Sequence, residues 1–245
     1  MPNAAGGPII AIANRSTVVP DWQLEALFPA LTTQLNYHFE PAWGLVKSDL
    51  ILIIDKGARP TADMWLYVQD NSDVVGDLGY HELTPEGLPT GYCFAGTDME
   101  YGEKWQVTLA HELLEIRKDP LCKALSLGIY QGKGVEFLTE VCDAVEDERF
   151  AYQIGDQWVS NFVLPPFFDT FLKHPPGTKF DYMGVVPAPL TIMPGGYLNL
   201  RPTAGGPWTN VLGDHVPLHK RLLTPGSRRF RFHIGQRNWR LSTAA

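Results

Sequence analysis

The sequence predicts an α+β fold: a mixed β-sheet carrying a buried, function-bearing helix, followed by a Pro/Gly-rich C-terminal region of short strands and loops. Three observations carry that prediction. Short apolar runs near the N-terminus are separated by a helical period, a helix with one polar stripe falls near the middle of the chain, and backbone-breaking residues multiply after residue 165. With 245 residues and 44% hydrophobic content the chain can bury a sizeable core. Its 23 Gly and 20 Pro argue for many turns and against a helical bundle.

In chain order, Ile9–Ala13 reads as a first strand. Asp21–Tyr37 reads as an amphipathic helix with Leu24, Leu27, Phe28, Leu31 and Leu35 on its apolar face, Asp21 as N-cap, and Pro29 kinking or splitting it. Leu50–Ile54 is a continuous apolar run of the buried-strand kind, and Trp65–Gln69 is another strand. A helix between strands implies a crossover and hence a mixed sheet. Gly79–Gly96 reads as extended and turn-rich.

The segment Thr108–Pro120 carries the chemistry. On a helix, Glu115 lies roughly 40° around the axis from His111, Asp119 roughly 80° and Glu112 roughly 100°, so the polar groups share one arc. His111 and Glu115, at i and i+4, can grip one metal, and Glu112 is placed to take a proton from metal-activated water. The familiar zinc-peptidase motif is H-E-x-x-H. Here the second ligand is a carboxylate, and so oxygen-rich a site accommodates manganese or iron as well as zinc. The plainer alternative is a buried helix whose Glu112 and Glu115 pair with arginines, or a solvated polar edge. Asp119, followed by Pro120, is better suited to fixing the helix end or a supporting hydrogen bond than to binding metal.

Thr139–Glu146 is an acidic cluster that can bring the third ligand. Glu140 and Asp143 stand at i and i+3, so either can face the metal while the other orients a ligand; the alternative is an exposed acidic turn. His81 either touches substrate or an oxyanion, or is an ordinary exposed or core histidine.

The run His111-Glu-Leu-Leu-Glu-Ile-Arg-Lys-Asp-Pro120, followed by Glu140-Val-Cys-Asp-Ala-Val-Glu146, resembles the H-E-L-x-E, D-P, E-x-x-D arrangement of uncharacterised zincin-like proteins of bacteria and their phages. Leu78–Gly87, Pro89–Gly96, Val159–Pro165 and Pro194-Gly-Gly-Tyr197 fit the same pattern. The resemblance implies a zincin-like metallopeptidase core over residues 1–165, with an extension over 166–245 packed on it. It also implies an edge strand, here within Gly79–Gly96, that borders the cleft and pairs with an extended peptide or protein substrate. The implied activity is peptide-bond hydrolysis at a divalent metal, most simply zinc. A catalytically silent scaffold serving as a phage virion or assembly protein is the alternative, because fold does not fix function.

Charge and cysteines bound the remaining classes. The net charge is −7, yet from Lys220 onward there are seven basic residues and no acid, against 13 basic and 27 acidic residues before it. Arg229–Ile234 alternates as a strand, with Phe230, Phe232 and Ile234 on one face. Docking on the chain's own acidic region, a homo-oligomer or neighbouring virion subunits fit this tail better than nucleic acid, for which no binding motif is present. The N-terminus has no basic leader and no apolar run long enough for a signal peptide or a membrane span, so the expectation is a protein that is soluble and cytoplasmic as synthesised. Cys93, Cys122 and Cys142 are widely spaced and odd in number, which disfavours a disulfide framework; Cys142 reads as a buried structural thiol.

Overall fold

A computed structural model describes residues 6–55, 57–74 and 76–216. The basic run from Lys220 and the expected strand Arg229–Ile234 lie outside the described residues.

The fold is α+β around a five-stranded mixed sheet. Strands β1 (Ile9–Asn14), β2 (Asp49–Ile53), β3 (Met64–Gln69), β4 (Gly79–Leu83) and β5 (Pro89–Phe94) stand in the order β2-β1-β3-β5-β4. The first four in that order run parallel, and β4 joins β5 antiparallel at the edge, pairing His81 with Gly91. Alternation along β1 divides the two faces: Ile10 and Ile12 enter the main core, while Ala11 and Ala13 join Trp65 on the other side. The apolar run Leu50–Ile54 reads as a buried strand. The strand forms as β2, but as an edge strand it is only half-buried along its length.

The first helix runs further than its pattern predicts. Helix α1 (Asp21–Thr33) continues through a wide π-type turn, Gln34–Phe39, into the short α2 (Glu40–Ala42). Pro29 does not split it, because Leu24, Leu27, Ala30 and Leu31 are buried on both sides of the proline. Asp21 is not the N-cap. Pro20 occupies that position, and the Asp21 carboxylate instead accepts from Asn14 Nδ2 at 2.7 Å. In the wide turn the fully buried Gln34 donates to Ser160 O at 2.6 Å, tying the helix to the chain's later half.

Helix α3 (Ala95–Tyr101) ends at Gly102, whose left-handed φ of 78° forms the C-cap. It leads into α4 (Trp105–Lys118), which lies on the core face of the sheet. Its Leu109, Ala110, Leu113, Leu114 and Ile116 are fully buried, and Arg117 and Lys118 place positive charge at its C-terminus, where the helix dipole favours it.

A second, antiparallel sheet in the order β11-β10-β7-β6 joins β6 (Leu125–Tyr130) and β7 (Lys133–Leu138) to β10 (Tyr197–Pro202) and β11 (Thr209–Leu212). Residues beyond 165 therefore complete a sheet begun before it, and Phe167, Phe180 and Leu198 share the main core with α1 and α4. Strands β8 (Tyr152–Ile154) and β9 (Gln157–Val159) form a hairpin, and α5 (Pro165–Phe168) is a single turn. No helix among the described residues is long and apolar enough to cross a membrane.

Candidate metal centre

Helix α4 presents His111, Glu112 and Glu115 on the side turned toward β4 and the Thr139–Glu146 segment. Two apolar flanks hold it there, so the polar stripe is fixed by burial of its neighbours. The helix's own Arg117 does not pair with the stripe. Its Nε donates to Glu40 Oε1 at 2.7 Å and to Ser48 Oγ at 2.8 Å, on the far side of the helix end.

After β7 the chain crosses α4 and enters a 3₁₀ turn, Asp143–Val145. Glu140 and Asp143 are both buried, which removes the solvated-turn alternative for these two acids. They go to different partners. His111 Nε2 lies 3.2 Å from Asp143 Oδ1 and 3.3 Å from Glu115 Oε1, so His111, Glu115 and Asp143 form one cluster. Glu140 instead groups with Glu115 and His81. Cys142 N donates to Glu115 Oε1 at 3.2 Å, fixing that carboxylate from the backbone.

The spacing of the first cluster fits a divalent cation. Ligand bonds of about 2.0–2.1 Å in a tetrahedral array set neighbouring donors about 3.4 Å apart, close to the 3.2 and 3.3 Å observed. One imidazole and two carboxylates suit zinc, manganese or iron.

Electrostatics reflect the crowding of acids. Burial disfavours charge on His111, but Glu115 and Asp143 beside it outweigh that and hold its imidazole well above the usual histidine range. Burial and the neighbouring Glu115 push the Asp143 carboxyl well up, with His111 opposing. The Tyr197 phenol is likewise raised by burial and by the carboxylates of Asp143, Glu146, Glu115 and Asp77, so it stays a protonated donor.

Through His111 the cluster reaches a solvent-accessible cleft, while Glu115 and Asp143 lie buried behind it. His111, Glu112, Thr108 and Val107 from α4 form one wall; Gly76, Asp77, Leu78 and Gly79, leading into β4, form the opposite one; Glu103, Glu146, Glu148 and Tyr197 complete it. Among the described residues β4 has a strand partner only in β5; its Gly79 end borders the cleft, while farther along Cys122 Sγ lies 3.8 Å from His81 O. Gly79 permits the close approach, since a Cβ there would lie 2.9 Å from Glu112 Cγ and 2.8 Å from Tyr92 O.

Glu112 lines the cleft, with Oε2 3.5 Å from His81 Nδ1. His81 is fully buried behind the helix stripe, out of reach of a molecule in the cleft. Asp119 stands outside the cluster as the helix C-cap; its two oxygens accept from Lys123 N and Ala124 N at 2.9 and 2.7 Å, holding the turn after α4. Cys93, Cys122 and Cys142 are buried free thiols. Tyr197 had no assigned role in the sequence. Its signal is the preceding Pro194-Gly-Gly196 turn, in which Gly196 approaches Ala144 O so closely that a Cβ would sit 2.6 Å away, docking the tyrosine beside the Asp143 segment. Against family models, curated proteins and solved structures alike, the chain finds no match.

Proposed function

We propose that this chain is a metal-dependent peptidase of zincin-like build. The observation that carries the reading is the convergence of His111 Nε2, Glu115 Oε1 and Asp143 Oδ1 at metal-ligand spacing, with His111 and the adjacent Glu112 on the wall of an open cleft and the two other carboxylates buried behind it. His111, Glu115 and Asp143 hold a divalent cation, with zinc the simplest choice. Such a cation supplies Lewis acidity and lowers the pKa of a water molecule. Glu112 accepts the proton of the attacking water and returns it to the leaving amine. An extended peptide lies along the 76–79 edge, its main chain aligned by strand-type hydrogen bonds. Tyr197, held protonated at the cleft, donates toward the carbonyl oxygen as charge develops there.

A mixed peptide library incubated with zinc- or manganese-loaded protein and read by mass spectrometry tests the reading. Cleavage that requires the metal and falls by about 10²-fold or more in Glu112→Gln, with metal retained, is the expected result. Cleavage by Glu112→Gln at the parent rate removes the general-base role. A loaded protein that cleaves nothing in the library leaves the virion-scaffold alternative standing in place of the peptidase.

A further inference from the structure

The two oxygens of Glu115 face different histidines. Oε1 sits 3.3 Å from His111 Nε2, whereas Oε2 lies 3.8 Å from His81 Nδ1. Behind the cleft-side cluster, His81, Glu115 and Glu140 each bring one ligand atom to within 4.8 Å of the others. All three are buried. They arrive from separate parts of the fold: His81 from β4, Glu115 from α4, and Glu140 from the segment after β7. Glu112 Oε2, 3.5 Å from His81 Nδ1, places a further oxygen at the edge of the group.

We infer that the centre is dinuclear, with Glu115 as a bridging carboxylate: His111 and Asp143 complete a cleft-side cation site, and His81 and Glu140 complete an inner one. One imidazole and two carboxylates repeat in both halves, a donor set suited to zinc, manganese or iron. A carboxylate with each oxygen on a different cation matches the separation of about 3.5–4 Å usual in two-metal hydrolytic centres. The inner site is enclosed by its ligands' burial, so its cation does not meet substrate. It supplies positive charge beside Glu112, Glu115 and Glu140 where burial makes carboxylates costly, and it fixes Glu115 for the outer site. The inference rests on the proposed role of Glu115 as a metal ligand.

The competing arrangement has one cation and a protonated His81 that bridges the carboxylates by itself. Full-length protein, stripped with chelator and dialysed against Mn²⁺, separates the two. Bound manganese per chain is counted by plasma mass spectrometry, and electron paramagnetic resonance reports whether the ions are spin-coupled. Two equivalents with a coupled signal are expected, falling to one equivalent with an isolated-ion signal in His81→Gln and in Glu140→Gln. One equivalent with an isolated-ion signal in the parent overturns the inner site while leaving the cleft-side centre intact. No bound metal in the parent overturns both readings. The parent protein alone decides the question, whether or not the variants fold.

Discussion

Gly79 shows how little space separates β4 from helix α4. A methyl group there meets Glu112 Cγ and Thr108 Cγ2 at 2.9 Å as well as the carbonyl of Tyr92. Gly79→Ala is therefore expected to destabilise by about 1–3 kcal/mol in urea denaturation and to lower hydrolysis further by displacing Glu112. Unchanged stability and rate would mean that β4 yields freely. Asp70 offers a pH test away from the centre. Burial works against its charge, but hydrogen bonds from Ser16 Oγ, Thr17 N, Thr17 Oγ1 and Val18 N hold its carboxyl down at about 2. A folded-state value below the unfolded 3.8 stabilises the fold above that pH, and the contribution is lost as pH falls toward 2. The melting-temperature advantage of the parent over Asp70→Asn should thus be present at pH 6 and shrink across this window. At this scale the legible part of the site was His111, Glu112 and Glu115, because the helical period alone brings them together. The pairing of Asp143 with His111 and of Glu140 with His81 was not legible, since it depends on how a distant segment crosses the helix.

Helix α4 is anchored at its end by a buried ion pair. Arg117 and Glu40 are both buried, with Ser48 and Val46 O completing the guanidinium's hydrogen bonds. Arg117→Met leaves a buried carboxylate without its cation and is expected to cost about 3–5 kcal/mol, measured by urea denaturation. Adding Glu40→Met should recover most of that loss; a double variant as unstable as the single one would show that packing, rather than charge, anchors the helix. Strands β1, β2 and β3 were readable from short apolar runs bounded by breakers, as was α4 from its period. The antiparallel direction of β4 and the half-buried state of β2 were not. The first follows from the short turn that joins β4 to β5, closed by Thr84 N donating to Leu88 O, and the second from the place of β2 at a sheet edge. The helical course that α1 begins passes its expected end at Tyr37 only through the π-type turn and α2, and buried contacts on both sides of Pro29 outweigh the proline's local cost.

Across the whole molecule, the candidate ligands come from β4, α4 and the Thr139–Glu146 segment, far apart in sequence. Residues after 165 close the second sheet and support that segment: Met193 N donates to Ala144 O at 2.9 Å, and Gly196 packs against it. A cation that binds only the folded arrangement stabilises it by mass action, by about 2.7 kcal/mol at a hundredfold excess over Kd. Zinc should accordingly raise the melting temperature of the chelator-treated protein, with a smaller rise in Asp143→Asn, which lacks a ligand of the cleft-side site. That both halves of the chain share one core was only partly readable, since the Pro- and Gly-rich region after 165 carries little periodicity and gains its order from tertiary contacts. His111 and its two carboxylates are proposed to form a metal centre. Isothermal titration of chelator-treated protein with Zn²⁺, with His111→Ala alongside, tests it most directly. Saturable binding is expected in the parent, with one equivalent lost or weakened at least about tenfold in the variant; no binding in the parent, or the same stoichiometry and affinity in both, would contradict a metal centre at His111.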